Sequence, residues 1–254
     1  SNTFCIKENR YDRKFKKCRI MKIIIDSRMR KIEKEYLSQY GDLIELPYQS
    51  SVYEEISSHP DIFFCKINNQ IFQAPNLKLE KQLETRQGAN PVGTQYPEDI
   101  KYNICQIGKR VIHNFKYTDP AVAEYIDSIG LKKINIKQGY SKCSISVTSE
   151  NSCITSDEGI YETLKKENID VLLLDNTNIS LLDKNGLQAK MNGFIGGATA
   201  IIEDKFILFG DSNKISNKES LIKHLNNYNL KLVDFKNLEI IDYGSIIVHN
   251  CHPV

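Results

Sequence analysis

One stretch constrains this chain more than any other: Gln138 to Asp175, QGYSKCSISVTSENSCITSDEGIYETLKKENIDVLLLD, because its pattern recurs along the sequence. It reads as strand, tight turn, strand, helix, strand. Cys143 to Thr148 is a short β-tolerant run, and Glu150-Asn151 supplies turn chemistry, since Asn accepts a positive φ. A second strand, Cys153 to Ser156, stops at Asp157. That residue is placed to cap a helix over Glu158 to Glu167, with Ile160 and Leu164 on one face. Ile169 to Leu174 is almost continuously apolar, as a strand covered on both faces would be.

Placing Asp211 on Asp157 aligns Ala200-Ile201-Ile202 with Ser146-Val147-Thr148, and Phe206-Ile207-Leu208 with Ser152-Cys153-Ile154. Leu221 and Leu225 then match the helix positions, and Leu230 to Phe235 matches the closing strand. Upstream, Val111-Ile112, Val122, Ile126 and Leu131 to Ile136 form another copy. A weaker one starts at His59, with Ile62 to Ile67 and Ile71 to Ala74 as its hairpin. Near the start, Lys22 to Asp26 reads as a second strand, Met29 to Gln39 as a helix and Leu43 to Leu46 as a closing strand, with no first strand. Ile240 to Val248 is a first strand with nothing after it. One module split between the chain ends predicts an α/β fold: a five-module pseudo-symmetric ββαβ propeller closed by the two ends, which leaves no open sheet edge.

A chain of 254 residues, 41% of them apolar, can bury a substantial core, and the repeats favour one domain over residues 21–254. Residues 1–20 hold seven Lys or Arg against two acids, net +5, so the total of +2 leaves −3 for the rest. This basic segment precedes the first module and reads as an extension outside the fold. No apolar run approaches the roughly 18 residues needed to span a bilayer, so no membrane partner is expected. Seven Cys, an odd number without framework spacing, point to reduced thiols and a cytoplasmic location. Residues 76–101 are the least regular, with a charged helix expected over Leu77 to Gln87. The pairs Asn185-Gly186 and Asn192-Gly193 bracket a hairpin-like crossing.

In such a ring the first strands line the centre, so residues at their starts share one mouth: His59 and Asp61, Lys142 and Cys143, Gly196 and Gly197, Asp242 and Ser245. Asp26, Asp157 and Asp211 recur at the ends of second strands, where each serves either as a helix cap or as a carboxylate for a ligand. In an extended His59-Pro60-Asp61 the imidazole and carboxylate point the same way, as a proton-shuttling pair would. The alternative is a plain turn. Lys142 beside Cys143 either stabilises a thiolate or points to the opposite face, leaving an inert buried thiol. No cofactor or metal is called for; His249-Asn250-Cys251-His252 holds metal-capable types but sits at a terminus.

The motifs HPD at 59–61, QGYSKCS at 138–144, ITSDEGI at 154–160, GFIGGA at 193–198 and DYGSI at 242–246 resemble the pentein superfamily, the guanidino-modifying α/β-propellers. That resemblance implies a central site in which a Cys attacks a guanidinium carbon, a His shuttles protons and carboxylates hold the cation. In the family the Cys follows a Gly-rich stretch in the last module. Here that stretch, Asp242 to Ile246, runs into Ile247 and Val248, with no Cys. Three functions stay open. The first is a binder of a small amino-acid- or guanidine-like ligand through Asp26, Arg28, His59, Lys142, Gly197, Asp242 and Ser245, without standard Cys chemistry. The second is an enzyme acting on C–N bonds, with Cys143 as nucleophile, His59 as acid/base, and Asp61, Asp157 and Asp211 holding the cation. The third is a ribosome or protein interaction module; no specific nucleic-acid partner is expected.

Overall fold

A computed structural model describes residues 21–77, 79, 83–175 and 178–250. In the template stretch, Ile145–Ser149 pairs antiparallel with Ser152–Thr155, and Asp170–Leu173 adds to the latter in parallel. Between them runs the helix Glu158–Lys166, whose first turn is held by the Asp157 carboxylate accepting the Ile160 N–H at 2.8 Å. Ile160 and Leu164 are fully buried. They pack on Cys153 and Val171 of their own unit and on Cys105, Ile107 and Ile112 of the preceding one, so adjacent units share a core.

Four further sheets repeat this order and sense. They are Phe64–Ile67, Gln70–Gln73, Arg86–Gln87; Cys105–Ile107, Arg110–His113, Lys132–Asn135; and Thr199–Ile202, Lys205–Leu208, Lys231–Val233. The remaining one joins the chain's two ends: Ile247–Asn250 runs antiparallel to Met21–Asp26, with Ile24 opposite Ile247, and Asp42–Leu46 adds in parallel. A shared device turns three helices into their closing strands. Gly130, Asn168 and Asn229 all take φ between +55° and +66°, and the next residue's N–H returns to the helix, Leu131 to Ile126, Ile169 to Leu164 and Leu230 to Leu225.

Several expectations need correction. The strand expected from Cys143 starts at Ile145, because Ser141–Ser144 is a helical turn. The last segment divides: Ile240–Ile241 joins a sixth sheet with Ile179–Leu182 and Gln188–Asn192, and only Ile247–Asn250 completes the split module. Gly186, at φ +78°, turns the hairpin of that sixth sheet. Arg86–Gln87 is a strand, not the end of a helix; part of the expected helix over 77–87 lies outside the described residues. Residues 1–20, Cys251 and His252 also lie outside them. Among the described residues no helix is long and apolar enough to cross a membrane.

Candidate functional site

Segments that lead into the first strands of these sheets bring polar side chains together, two of them through helical turns, Pro60–Phe63 and Ser141–Ser144. His59 precedes the turn Pro60–Phe63, with Pro60 at the first helical position, where its missing N–H does no harm. Of the two readings of His59-Pro60-Asp61, the turn is the one found, and it sends the two side chains to different partners. Asp61 reaches Cys143 and Ser245: the thiol Sγ donates to Asp61 Oδ2 at 3.0 Å, and Ser245 Oγ donates to the same oxygen at 2.9 Å. His59 instead faces two other carboxylates, with Nε2 3.9 Å from Asp26 Oδ2 and Nδ1 4.0 Å from Asp242 Oδ1. Both ring nitrogens and Asp61 Oδ1 are buried without a hydrogen-bond partner.

Asn103 was not anticipated, yet it organises the thiol. Its Oδ1 accepts the N–H groups of Lys142 at 2.7 Å and Cys143 at 3.3 Å, while its Nδ2 donates to Cys143 Sγ at 3.1 Å. It stands two residues before the strand Cys105–Ile107, as Cys143 stands before Ile145–Ser149, so extending the internal repeat would have located it.

Asp242 accepts the N–H groups of Phe194 and Gly244, each at 2.8 Å. Gly197 lies so close that a Cβ there would stand 1.8 Å from Asp242 Oδ1. Its own N–H donates to the Cys143 carbonyl at 2.9 Å. Asp26 is not a helix cap: its carboxylate accepts the Arg28 backbone N–H at 2.7 Å and pairs with the Arg28 guanidinium at 2.6 Å. The rest of that guanidinium is tied to the carbonyls of Glu54, Glu55, Leu182 and Asp183. Asp157 and Asp211 lie apart from this group and cap backbone N–H groups, of Ile160 and Asn213.

A cavity of about 120 Å³ opens above His59, Cys143 and Asp242, walled by Tyr53, Ile56, Tyr140, Leu181 and Phe194. Tyr140 stacks on Phe194, and its hydroxyl donates to Asp99 at 2.7 Å. Lys142 does not line this cavity; it faces a different one. Burial dominates the electrostatics. It pushes Asp242 up to about 7, aided by the charge of Asp61, and raises Asp26 and Asp61 against the pull of their hydrogen bonds. Burial, then the Asp61 charge, lifts the Cys143 thiol well above its ordinary range, so Lys142 does not yield the depressed thiol expected of an activated nucleophile. Burial and the nearby Arg28 charge hold His59 neutral, well below its usual value. The nearest atoms of His59, Cys143 and Asp242 lie within 4.8 Å of one another, a nitrogen, sulfur and oxygen set of the kind that could hold a zinc-type ion.

The architecture recurs in solved structures. C. jejuni agmatine deiminase is similar with a TM-score of 0.53 and 13% identity, covering 90% of this chain and 81% of that one. A variant of that enzyme with substrate bound gives 0.50 and 12%, covering 87% and 80%. A mutant DDAH from Pseudomonas aeruginosa complexed with citrulline gives 0.48 and 9%, covering 84% and 91%. At these identities the likeness concerns the fold, which is that of the pentein superfamily. No curated protein matches the sequence. A family model does match, over residues 24–247, and the chain belongs to that family, the family of unknown function DUF6873.

Proposed function

We propose that the chain is a closed ring of five ββαβ blades that binds a small guanidine- or amidine-like cation in the cavity above His59, Cys143 and Asp242. The pairing of Ile247–Asn250 with Met21–Asp26 supports the ring, because it supplies the strand the first module lacks. The binding reading rests on one observation: Asp242, buried at the cavity floor, has the buried carboxylates of Asp61 and Asp26 close enough to act on its charge, and Arg28, the cation paired with Asp26, is fully engaged by that carboxylate and by backbone carbonyls. A planar cation entering the cavity supplies the charge and donors this floor lacks, and the aromatic wall suits its faces. None of the cavity's lining residues is Lys or Arg, which disfavours a ligand carboxylate there. Agmatine, named in the similar deiminase, is itself a guanidine.

A second reading, C–N bond chemistry, is favoured by the approach of Cys143 to the unpartnered His59 ring. A bound cation opposes the Asp61 charge that holds the thiol proton, so ligand binding itself would promote ionisation. The thiolate would then add to the central carbon of the cation. One C–N bond would break, with His59 carrying the thiol proton to the leaving amine. Water would add to the resulting thiouronium carbon and the C–S bond would break, one water proton returning to sulfur and the other leaving with the amine as its ammonium form.

Thermal unfolding with methylguanidine, agmatine and benzamidine tests the binding reading. At least one should raise Tm in the wild type, and Asp242→Asn should remove the effect. If none shifts Tm, the cation site is wrong. Release of amine or ammonia from those compounds, abolished by Cys143→Ala, separates turnover from binding.

A further inference from the structure

A second cavity, of about 580 Å³, is lined by residues from all five first strands, beyond the turns that carry Asp61 and Cys143. About half of its wall is apolar, including Phe64, Ile104, Ile201 and Ile246. Its charges are unbalanced: Lys66, Lys109 and Lys142 against the single carboxylate of Glu150. The Lys66 ammonium donates to the Val248 carbonyl at 2.6 Å and has no ion pair among the described residues. Burial without a counter-charge pushes its pKa down. The Lys142 ammonium has neither an ion pair nor a hydrogen bond among the described residues, although its backbone is fixed by Asn103. Thr199, a polar wall residue, has its hydroxyl bonded to Ser146 and to the Ile195 carbonyl and carries no charge to match the lysines.

Lys66, Lys109 and Lys142 outnumber the one lining acid, Glu150, and neither Lys66 nor Lys142 is ion-paired to it, so the hollow keeps a net positive charge that an anion would offset. We propose that this cavity binds a small organic anion, a carboxylate or phosphate carried on an apolar body, with Lys142 and Lys66 as its charged partners. The lysines supply the charge recognition, and Phe64, Ile104, Ile201 and Ile246 cover the body. The site is distinct from the cation cavity, because Lys142 and Cys143 leave one turn toward different cavities. It does not depend on the proposed cation site.

Isothermal titration at low ionic strength with hexanoate, phenyl phosphate and inorganic phosphate tests it. Hexanoate or phenyl phosphate should bind saturably to the wild type, and the stronger of the two says which anionic group the site takes. Lys142→Met and Lys66→Met should each weaken that binding at least about tenfold, the loss of one charged hydrogen bond. Lys142→Arg, which keeps the charge and shows that the position tolerates change, should retain it. Absence of saturable binding by both organic anions overturns the proposal. So does undiminished binding in both Met variants whose far-UV spectra and Tm match the wild type. Inorganic phosphate binding as tightly as phenyl phosphate overturns the role given to the apolar wall.

Discussion

Cys143 donates its thiol proton to Asp61 at 3.0 Å while accepting from Asn103 at 3.1 Å, so the sulfur is clamped between a carboxylate and an amide. The amide favours the thiolate and the carboxylate opposes it, and burial adds to the carboxylate's side. The proton therefore stays on sulfur in the free protein. Asp61→Asn removes the opposing charge and keeps the shape. Alkylation of Cys143 by iodoacetamide at pH 8, mapped by mass spectrometry, should become about tenfold faster, the effect of lowering the thiol pKa by one unit. A slower rate would mean that Asp61 draws the proton away and acts as a base.

Gly197 and Gly130 make opposite demands on a methyl group. At Gly197 it would collide with the Asp242 carboxylate, which also carries the Phe194 and Gly244 N–H groups. Gly197→Ala should cost about 3 kcal/mol in urea unfolding and abolish any ligand-induced rise in Tm. At Gly130 nothing lies within 4 Å, but φ is +66°. Gly130→Ala should cost about 1 kcal/mol, the strain of the left-handed region, and leave ligand effects intact. Equal effects of the two substitutions on binding would remove the special place given to Gly197.

Asp157 and Asp26 show how alike a cap and a site residue look in sequence. Both end second strands, yet the Asp157 carboxylate holds a helix N–H while Asp26 is drawn to Arg28 two residues later. Asp157→Ala should destabilise the fold by about 1 kcal/mol without changing Cys143 alkylation or ligand-induced stabilisation. If the ligand effect vanished with stability otherwise kept, Asp157 would belong to the binding site after all.

The clearest units were legible because they carry two strand-length apolar runs and a helical stripe, such as Ile160 with Leu164 and Leu221 with Leu225. The pairing of the chain ends followed from a missing first strand near Met21 and an unmatched one near Ile247. The site was less legible. Four-residue turns such as Pro60–Phe63 and Ser141–Ser144 are too short to show periodicity, so the sequence leaves the directions of Asp61 and Lys142 open. The sixth sheet joins Ile179–Leu182 to the two-residue strand Ile240–Ile241, a pairing that no local pattern announces.

His113 gives a pH signature away from both cavities. Its ring is buried between the Thr118 hydroxyl at 2.6 Å and the Ile100 carbonyl at 3.0 Å, with Phe115 edge-on. Burial lowers its pKa to about 4. The unfolded chain, with an ordinary histidine near about 6.5, binds the extra proton first as pH falls. Stability from keeping His113 neutral is therefore complete above about pH 7 and is lost as pH falls from about 6.5 to 4, up to about 3 kcal/mol. Asp242, raised to about 7, works the other way: its folded form holds a proton that the unfolded form has lost, so it erodes stability as pH rises from about 4 to 7. The two slopes overlap, so the test is the difference between wild type and His113→Gln in urea unfolding from pH 4 to pH 8. The gap in favour of wild type should be largest near pH 7 and shrink toward pH 4. A gap that stays constant across that range would mean that His113 titrates alike in both states.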